Sequence, residues 1–207
     1  MTTDDDATGR LSRRAFLLGT GIATGALVAT TAGQTWEPLA PLTVFAPRQQ
    51  GEGPQGVPVN RTAEEAQVLE TAVAADWSLT VAGAAGTAGF GLDRLRSLPQ
   101  TQLELPIACV EGWSTMARWR GVRLRDLLGA AGLPDRQDVR FSSLQTRGAY
   151  GSSEMGAEFV RDSATLVALE LNGEPLHLDH GFPARVIAPA RPGVLQTKWL
   201  SRVEVLG

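Results

Sequence analysis

Pro106-Ile107-Ala108-Cys109-Val110-Glu111-Gly112-Trp113 holds the only cysteine of the 207-residue chain. With one cysteine no internal disulfide can form, and a lone thiol is most often a small buried hydrophobe. The setting here is different. The segment from Gln102 is apolar in alternation, is interrupted by Pro106, and runs into Glu111-Gly112. That pattern reads as a strand, Gln102 to Cys109, delivering a thiol into a turn. A thiolate at a strand end can ligate a soft or high-valent metal or act as a nucleophile, and nothing local decides between the two.

Outward from this stretch, composition bounds the answer. The chain is 43% hydrophobic and 20% charged, which suits one globular domain with appendages. A net charge of −3 gives no sign of the basic face expected of a nucleic-acid binder. With 23 glycines and 12 prolines, a loop-rich and strand-rich body is favoured over a helical bundle.

The N-terminal part reads as targeting rather than fold. Met1 to Gly9 is acidic and polar, and disorder is expected there. Ser12-Arg13-Arg14-Ala15-Phe16-Leu17-Leu18 precedes an uncharged Gly/Ala/Thr-rich run to about Gly33. An arginine pair before such a run predicts a twin-arginine export signal or an uncleaved membrane anchor over residues 1–34, and an extracytoplasmic location. Residues 35–57, rich in Pro and Gly, read as a linker leading away from the membrane, with the domain proper over 58–207.

Within that domain, Thr62 and Glu65 have capping-box spacing ahead of a short helix. Strands are expected over 77–83, 102–109, 139–144, 166–171, 184–188 and 199–206. Amphipathic helices are expected over 92–98 and 122–132, and Asn172-Gly173 predicts a turn. Strands mixed with short helices, without regular strand-helix alternation, predict an α+β fold of mixed β-sheets.

A second unusual stretch runs from Asp179-His180-Gly181-Phe182-Pro183-Ala184-Arg185 through Pro189 to Gly193-Val194-Leu195-Gln196-Thr197-Lys198-Trp199. His, Arg and Lys on loops fixed by Gly and Pro can close around an anion through charge-assisted hydrogen bonds. His177 and His180 have the separation of a metal-ligand pair, but no second cysteine or dense carboxylate cluster accompanies them.

Taken in order, Cys109-Val110-Glu111-Gly112-Trp113-Ser114, Tyr150-Gly151-Ser152-Ser153, Asn172-Gly173-Glu174-Pro175-Leu176 leading into His180 to Arg185, and Lys198-Trp199 resemble the molybdopterin-binding domain of the sulfite oxidase family. The resemblance covers about Pro58 to Gly207. It implies that Cys109 ligates molybdenum, that His180 and Arg185 hold the pterin, and that Gln196, Thr197 and Lys198 grip its phosphate end. Asn60 and Arg61 match an entry loop to the cofactor. Tyr150 matches a tyrosine near the metal, joining Cys109 as a catalytic candidate, and Gln145 stands where relatives carry an acidic residue on the cofactor side. Ala108 and Ser114-Thr115-Met116 occupy positions that are basic in relatives and clamp sulfite, which points away from sulfite as substrate unless Arg118, Arg120 or Arg147 compensates. No dimerisation domain is expected after the Lys198-Trp199 strand, and no haem-attachment motif is present.

The function implied is an exported molybdenum-pterin oxidoreductase. It would carry out two-electron oxygen-atom transfer on a small S- or N-containing substrate, exchanging electrons with a membrane cytochrome or quinone-linked protein. A non-catalytic binding module of the same fold is the alternative. A thiol enzyme pairing Cys109 with His180 is a third reading, without an identifiable partner to orient the histidine.

Overall fold

The computed structural model describes residues 19–21, 24, 53–108, 113–146 and 150–207. The chain divides into residues 1–49 and 50–207. In the first unit Gly19–Gly21 and Thr24 are helical. Among the described residues no helix is long and apolar enough to cross a membrane. The rest of the export signal or anchor expected over 1–34, and the linker up to residue 52, lie outside the described residues.

The second unit is built on two sheets. In the first, β1 (Ser78–Gly83) turns into β2 (Gly86–Gly91), and β10 (Leu200–Val205) pairs parallel to β1. β5 (Val139–Ser143) pairs antiparallel with β10, and β6 (Ser152–Met155) with β5, giving the order β2-β1-β10-β5-β6. In the second sheet β3 (Gln100–Ala108) pairs antiparallel with β4 (Ser114–Arg123), and β4 with β7 (Leu166–Leu171). The short β8 (Glu174–Pro175) and β9 (Arg185–Ile187) both pair with β7.

The apolar run of β7 is buried because its alternate side chains enter two cores. Val167 and Leu169 join Leu79, Phe90, Phe141 and Val203 of the first sheet, together with Leu124, Leu127 and Leu128 of a helix. Leu166 and Ala168 join Trp119, Ile187 and Val57. The register with β4 slips between Arg120 and Gly121, so Leu169 is an extra residue and the alternation changes phase. Leu171 therefore returns to the second core. A strand with both faces buried shows no polar alternation, which is why it reads as a continuous run.

The helices are short and follow their caps. α1 (Leu69–Ala72) comes after a closed capping box, in which Glu65 N–H donates to Thr62 Oγ1 at 3.1 Å and Thr62 N–H to Glu65 Oε2 at 3.0 Å. The box closes turns over residues 63–67 ahead of α1. α2 (Leu92–Ser97) stops before Pro99 as the sequence predicts. α3 (Leu124–Ala130) starts two residues later than the expected 122, because Val122 and Arg123 end β4. α4 (Ala157–Val160) was not predicted.

β4 itself is the main element the sequence reading passed over. Its buried Ala117, Trp119 and Gly121 alternate with Met116, Arg118 and Arg120, a period of two that its charges obscure. β2 and β6 were also missed: Gly86–Gly91 has glycine at three of its six positions, and Ser152–Met155 has no β-branched or aromatic residue. Asn172 and Gly173 make the expected turn between β7 and β8, with φ of 52° and 95°.

The folded unit extends further back than the boundary expected at residue 58. Pro54–Gly56 forms a 3₁₀ turn and Val57 is 1% exposed in the second core. Residues 53–57 are part of the domain, not of a tether.

Candidate cofactor site

Where β3 ends, the segments 57–61, 143–145, 180–185 and 193–199, with Tyr150, converge around a cleft of about 310 Å³. Asn60, Arg61, Gln145, Tyr150, His180, Arg185, Gln196, Thr197 and Lys198, drawn from distant parts of the sequence, all line it. Cys109 lies outside the described residues. Its neighbour Ala108 and the following Trp113 both line the cleft. Two glycines allow this convergence. A Cβ on Gly193 would stand 2.8 Å from the Ala108 carbonyl oxygen, so the 193–197 loop passes directly against the end of β3. Gly181 has φ +104° and a Cβ there would meet Lys198 Cβ at 3.0 Å, so the His180 turn closes onto Lys198.

The cleft is electropositive and, among its described lining residues, free of carboxylates. Arg185 is 4% exposed; its Nη1 donates to His180 O at 3.1 Å and its Nη2 to Gln196 O at 3.4 Å, while the guanidinium lies 5.1 Å from the Trp119 ring centroid. Burial lowers its pKa to about 9. Lys198 Nζ donates to Arg61 O at 2.5 Å and Asp179 O at 2.8 Å, 4.4 Å from the Trp199 ring centroid. Burial first, and then the Arg185 charge, lower its pKa to about 7 against the opposing pull of Asp179. His180, 2% exposed, is held near pKa 4 by burial, reinforced by Arg185 and Lys198 and opposed by its bond to Pro54 O.

The polar positions are fixed by backbone groups. Gln196 Nε2 donates to Ala188 O at 3.2 Å and Arg191 O at 2.9 Å, leaving its buried Oε1 without a partner. Arg185 Nε is likewise buried and unpartnered. Ser153 Oγ donates to Leu195 O at 3.2 Å, so Thr197 Oγ1, 2.8 Å away, donates to Ser153. Gln145 N–H donates to Ser143 Oγ at 3.0 Å, and Ser143 in turn donates to Lys198 O at 2.8 Å. An unpartnered buried cation N–H and amide oxygen, beside a cluster of cations, suit a ligand that brings both anionic oxygens and N–H donors.

Arg118 and Arg120 do not line the cleft; Arg120 instead pairs with Glu170 at 2.6 Å. Arg147 lies outside the described residues. His177 and His180 do not converge: their ring centroids are 6.4 Å apart, and His177 Nδ1 accepts from Asp179 N–H at 3.2 Å. Tyr150 is 54% exposed and stands on the cleft wall rather than packed beside its turn. Sequence reasoning assigned no role to Trp113, whose indole N–H donates to Asn60 Oδ1 at 2.9 Å and ties the start of β4 to the entry segment. It likewise assigned no role to Pro54, Ser143 or Ser153, for which composition offers no signal.

Comparison with known proteins bears on the family and the fold. Residues 65–207 match the family model of the oxidoreductase molybdopterin binding domain. The mitochondrial sulfite oxidase of Homo sapiens is 34% identical over 62% of this chain and 29% of its own length. The nitrate reductase [NAD(P)H] of Hordeum vulgare is 40% identical over 42% of this chain and 11% of its own. The chain thus spans less than a third of the curated relatives it matches. The crystal structure of the sulfane dehydrogenase SoxCD from Paracoccus pantotrophus superposes with a TM-score of 0.57 at 21% identity, over 78% of this chain and 46% of that one, and shows a common fold.

Proposed function

The chain belongs to the oxidoreductase molybdopterin-binding domain family, of the sulfite oxidase type, and from that premise we propose that its cleft holds a molybdenum-molybdopterin cofactor for two-electron oxygen-atom transfer. The observation that carries this reading is the cleft itself: cations, an unpartnered amide oxygen and an unpartnered guanidinium N–H around about 310 Å³, without a lining carboxylate among the described residues.

The residues present fit the group. Lys198 and Arg185 would neutralise and bond a phosphate beside Thr197, while Gln196 Oε1 would accept from a pterin N–H. Cys109, which follows Ala108 on the cleft wall, would supply the thiolate ligand. When bound, the metal would supply the two-electron redox change, with the protein contributing ligation, orientation and exclusion of water. Lys198 and Arg185 bring desolvated charge to the site at no reorganisation when a dianion arrives. Tyr150, exposed at the cleft, would donate its O–H to a substrate oxygen.

The substrate class we favour is a small S- or N-containing molecule other than sulfite. In support, neither Arg118 nor Arg120 reaches the cleft. Electrons would be exchanged with a separate membrane cytochrome or quinone-linked protein. On the strength of Arg13-Arg14 and the apolar run after them, the chain would be exported by the twin-arginine route, with residues 1–34 as signal or anchor.

The test is elemental analysis of the natively expressed full-length chain for molybdenum, with the fluorescence of released, oxidised pterin read on the same sample. Near-stoichiometric metal and pterin in wild type, with molybdenum lost in Cys109→Ser, is expected. Metal-free protein from cells whose other molybdoenzymes are loaded would overturn the reading.

A further inference from the structure

Gln55 sits outside the residues matched by the family model and in a segment whose composition suggests a flexible tether, yet its side chain is saturated. Its Nε2 donates to Leu171 O at 3.0 Å and Pro175 O at 3.1 Å, with Glu174 O at 3.5 Å. Its Oε1 accepts from His177 N–H at 2.9 Å, and its backbone carbonyl accepts from Asn172 Nδ2 at 2.8 Å. Gln55 is also held at φ 58°, a left-handed conformation that a non-glycine residue keeps only when its surroundings over-determine it.

The peptide carbonyl that enters Gln55 belongs to Pro54, and it lies 2.6 Å from His180 Nε2. A carbonyl oxygen carries no proton, so Nε2 must donate. In the neutral ring Nδ1 is then the unprotonated nitrogen. His180 lines the cleft, so this choice decides whether its free nitrogen accepts or donates. Gln55 grips both sides of this bond. Through its own backbone it carries the Pro54 carbonyl, and through His177 N–H it holds the start of the 3₁₀ turn Leu178–His180.

We propose that Gln55 is a positioning residue for His180: by pinning the Pro54 carbonyl against Nε2 it fixes the tautomer that presents Nδ1 as an acceptor on the cleft wall. The role of that acceptor rests on the cofactor reading, where it suits an N–H of the pterin, but the tautomer itself does not. Burial keeps the ring neutral at pH 7, so one tautomer is available to be chosen.

The chain has two histidines, which makes the test direct. Full-length, cofactor-free protein labelled with ¹⁵N-histidine is recorded by long-range ¹H–¹⁵N correlation, with His177→Gln to assign the pair. Wild type should show His180 protonated at Nε2 and bare at Nδ1. Gln55→Ala keeps the same Cβ at the same φ and removes only the amide. It should retain the fold by circular dichroism while His180 averages over both tautomers and its ring N–H exchanges with water about tenfold faster. A proton on Nδ1 in wild type, or an unchanged His180 pattern in a folded Gln55→Ala, overturns the proposal. Should Gln55→Ala not fold, Gln55→Glu, which keeps the acceptor for His177 N–H and loses both donors, is read by the same criteria. Protein without molybdenum would overturn the functional reading and leave this tautomer untouched.

Discussion

Arg185 is a buried cation that meets only carbonyl oxygens and an aromatic face, with burial as the cause of its lowered pKa. An uncompensated buried charge opposes folding, and apolar residues of similar volume often replace such groups at no loss of stability. Arg185→Met should therefore leave the cofactor-free protein as stable as wild type or more so by about 1 kcal/mol, read by urea denaturation. The same variant should lose pterin and molybdenum. A residue kept for the fold would behave in the opposite way. Lys198 and His180 make the same point through pH. Lys198 has a folded pKa near 7 against an ordinary 10.5, so between those values the unfolded chain binds a proton that the folded chain has shed. Stability must then rise with pH across that window. His180 has a folded pKa near 4 against 6.5, so stability falls as pH drops through that range, by up to about 3 kcal/mol. Thermal melts of cofactor-free protein should show a midpoint that climbs from pH 4 to pH 10, and a bound anion should flatten the alkaline limb by keeping Lys198 charged.

Among the elements, the β4–β7 contact is the least tolerant. A Cβ on Gly121 would meet Val167 O at 2.1 Å and Ala168 Cα at 2.6 Å, at the register shift that sends β7 side chains into both cores. Both clashes are with backbone, so no rotamer change relieves them. Gly121→Ala is expected to destabilise by about 3 kcal/mol or more, or to prevent soluble expression, measured by chemical denaturation. Helix α1 gives a milder case. Thr62→Ala removes half of a capping box whose partner bonds are 3.0 and 3.1 Å, and should lower stability by about 1 kcal/mol without altering cofactor content.

For the whole molecule, the boundary of the folded unit is the testable issue. Val57 is 1% exposed, Gln55 makes long-range bonds, and Pro54 O holds His180. A chain starting at residue 58 should therefore be less stable than one starting at residue 50 by about 3 kcal/mol, since it forgoes a buried valine and several hydrogen bonds. Equal melting midpoints for the two would place residues 50–57 outside the fold.

The sequence by itself determined the fold class and most of the membership of the cleft. Apolar alternation, Gly and Pro punctuation and the Asn172-Gly173 pair act over a few residues, so they survive in a one-dimensional reading. The resemblance carried by the tyrosine and His-Arg-Lys motifs then named most of the described residues that line the cleft. β4 stayed hidden because its period of two is carried by alanine, tryptophan and glycine between arginines, and a burial pattern becomes visible only once β3 and β7 flank it. Tertiary structure alone decided that Arg118 and Arg120 leave the cleft, since a strand's face is set by register. It alone decided that Gln55, 116 residues from Leu171, bonds the Leu171 carbonyl from a segment that composition marks as a tether. Composition measures what a segment can bury, while a hydrogen bond between distant backbones depends on where the whole chain has brought them.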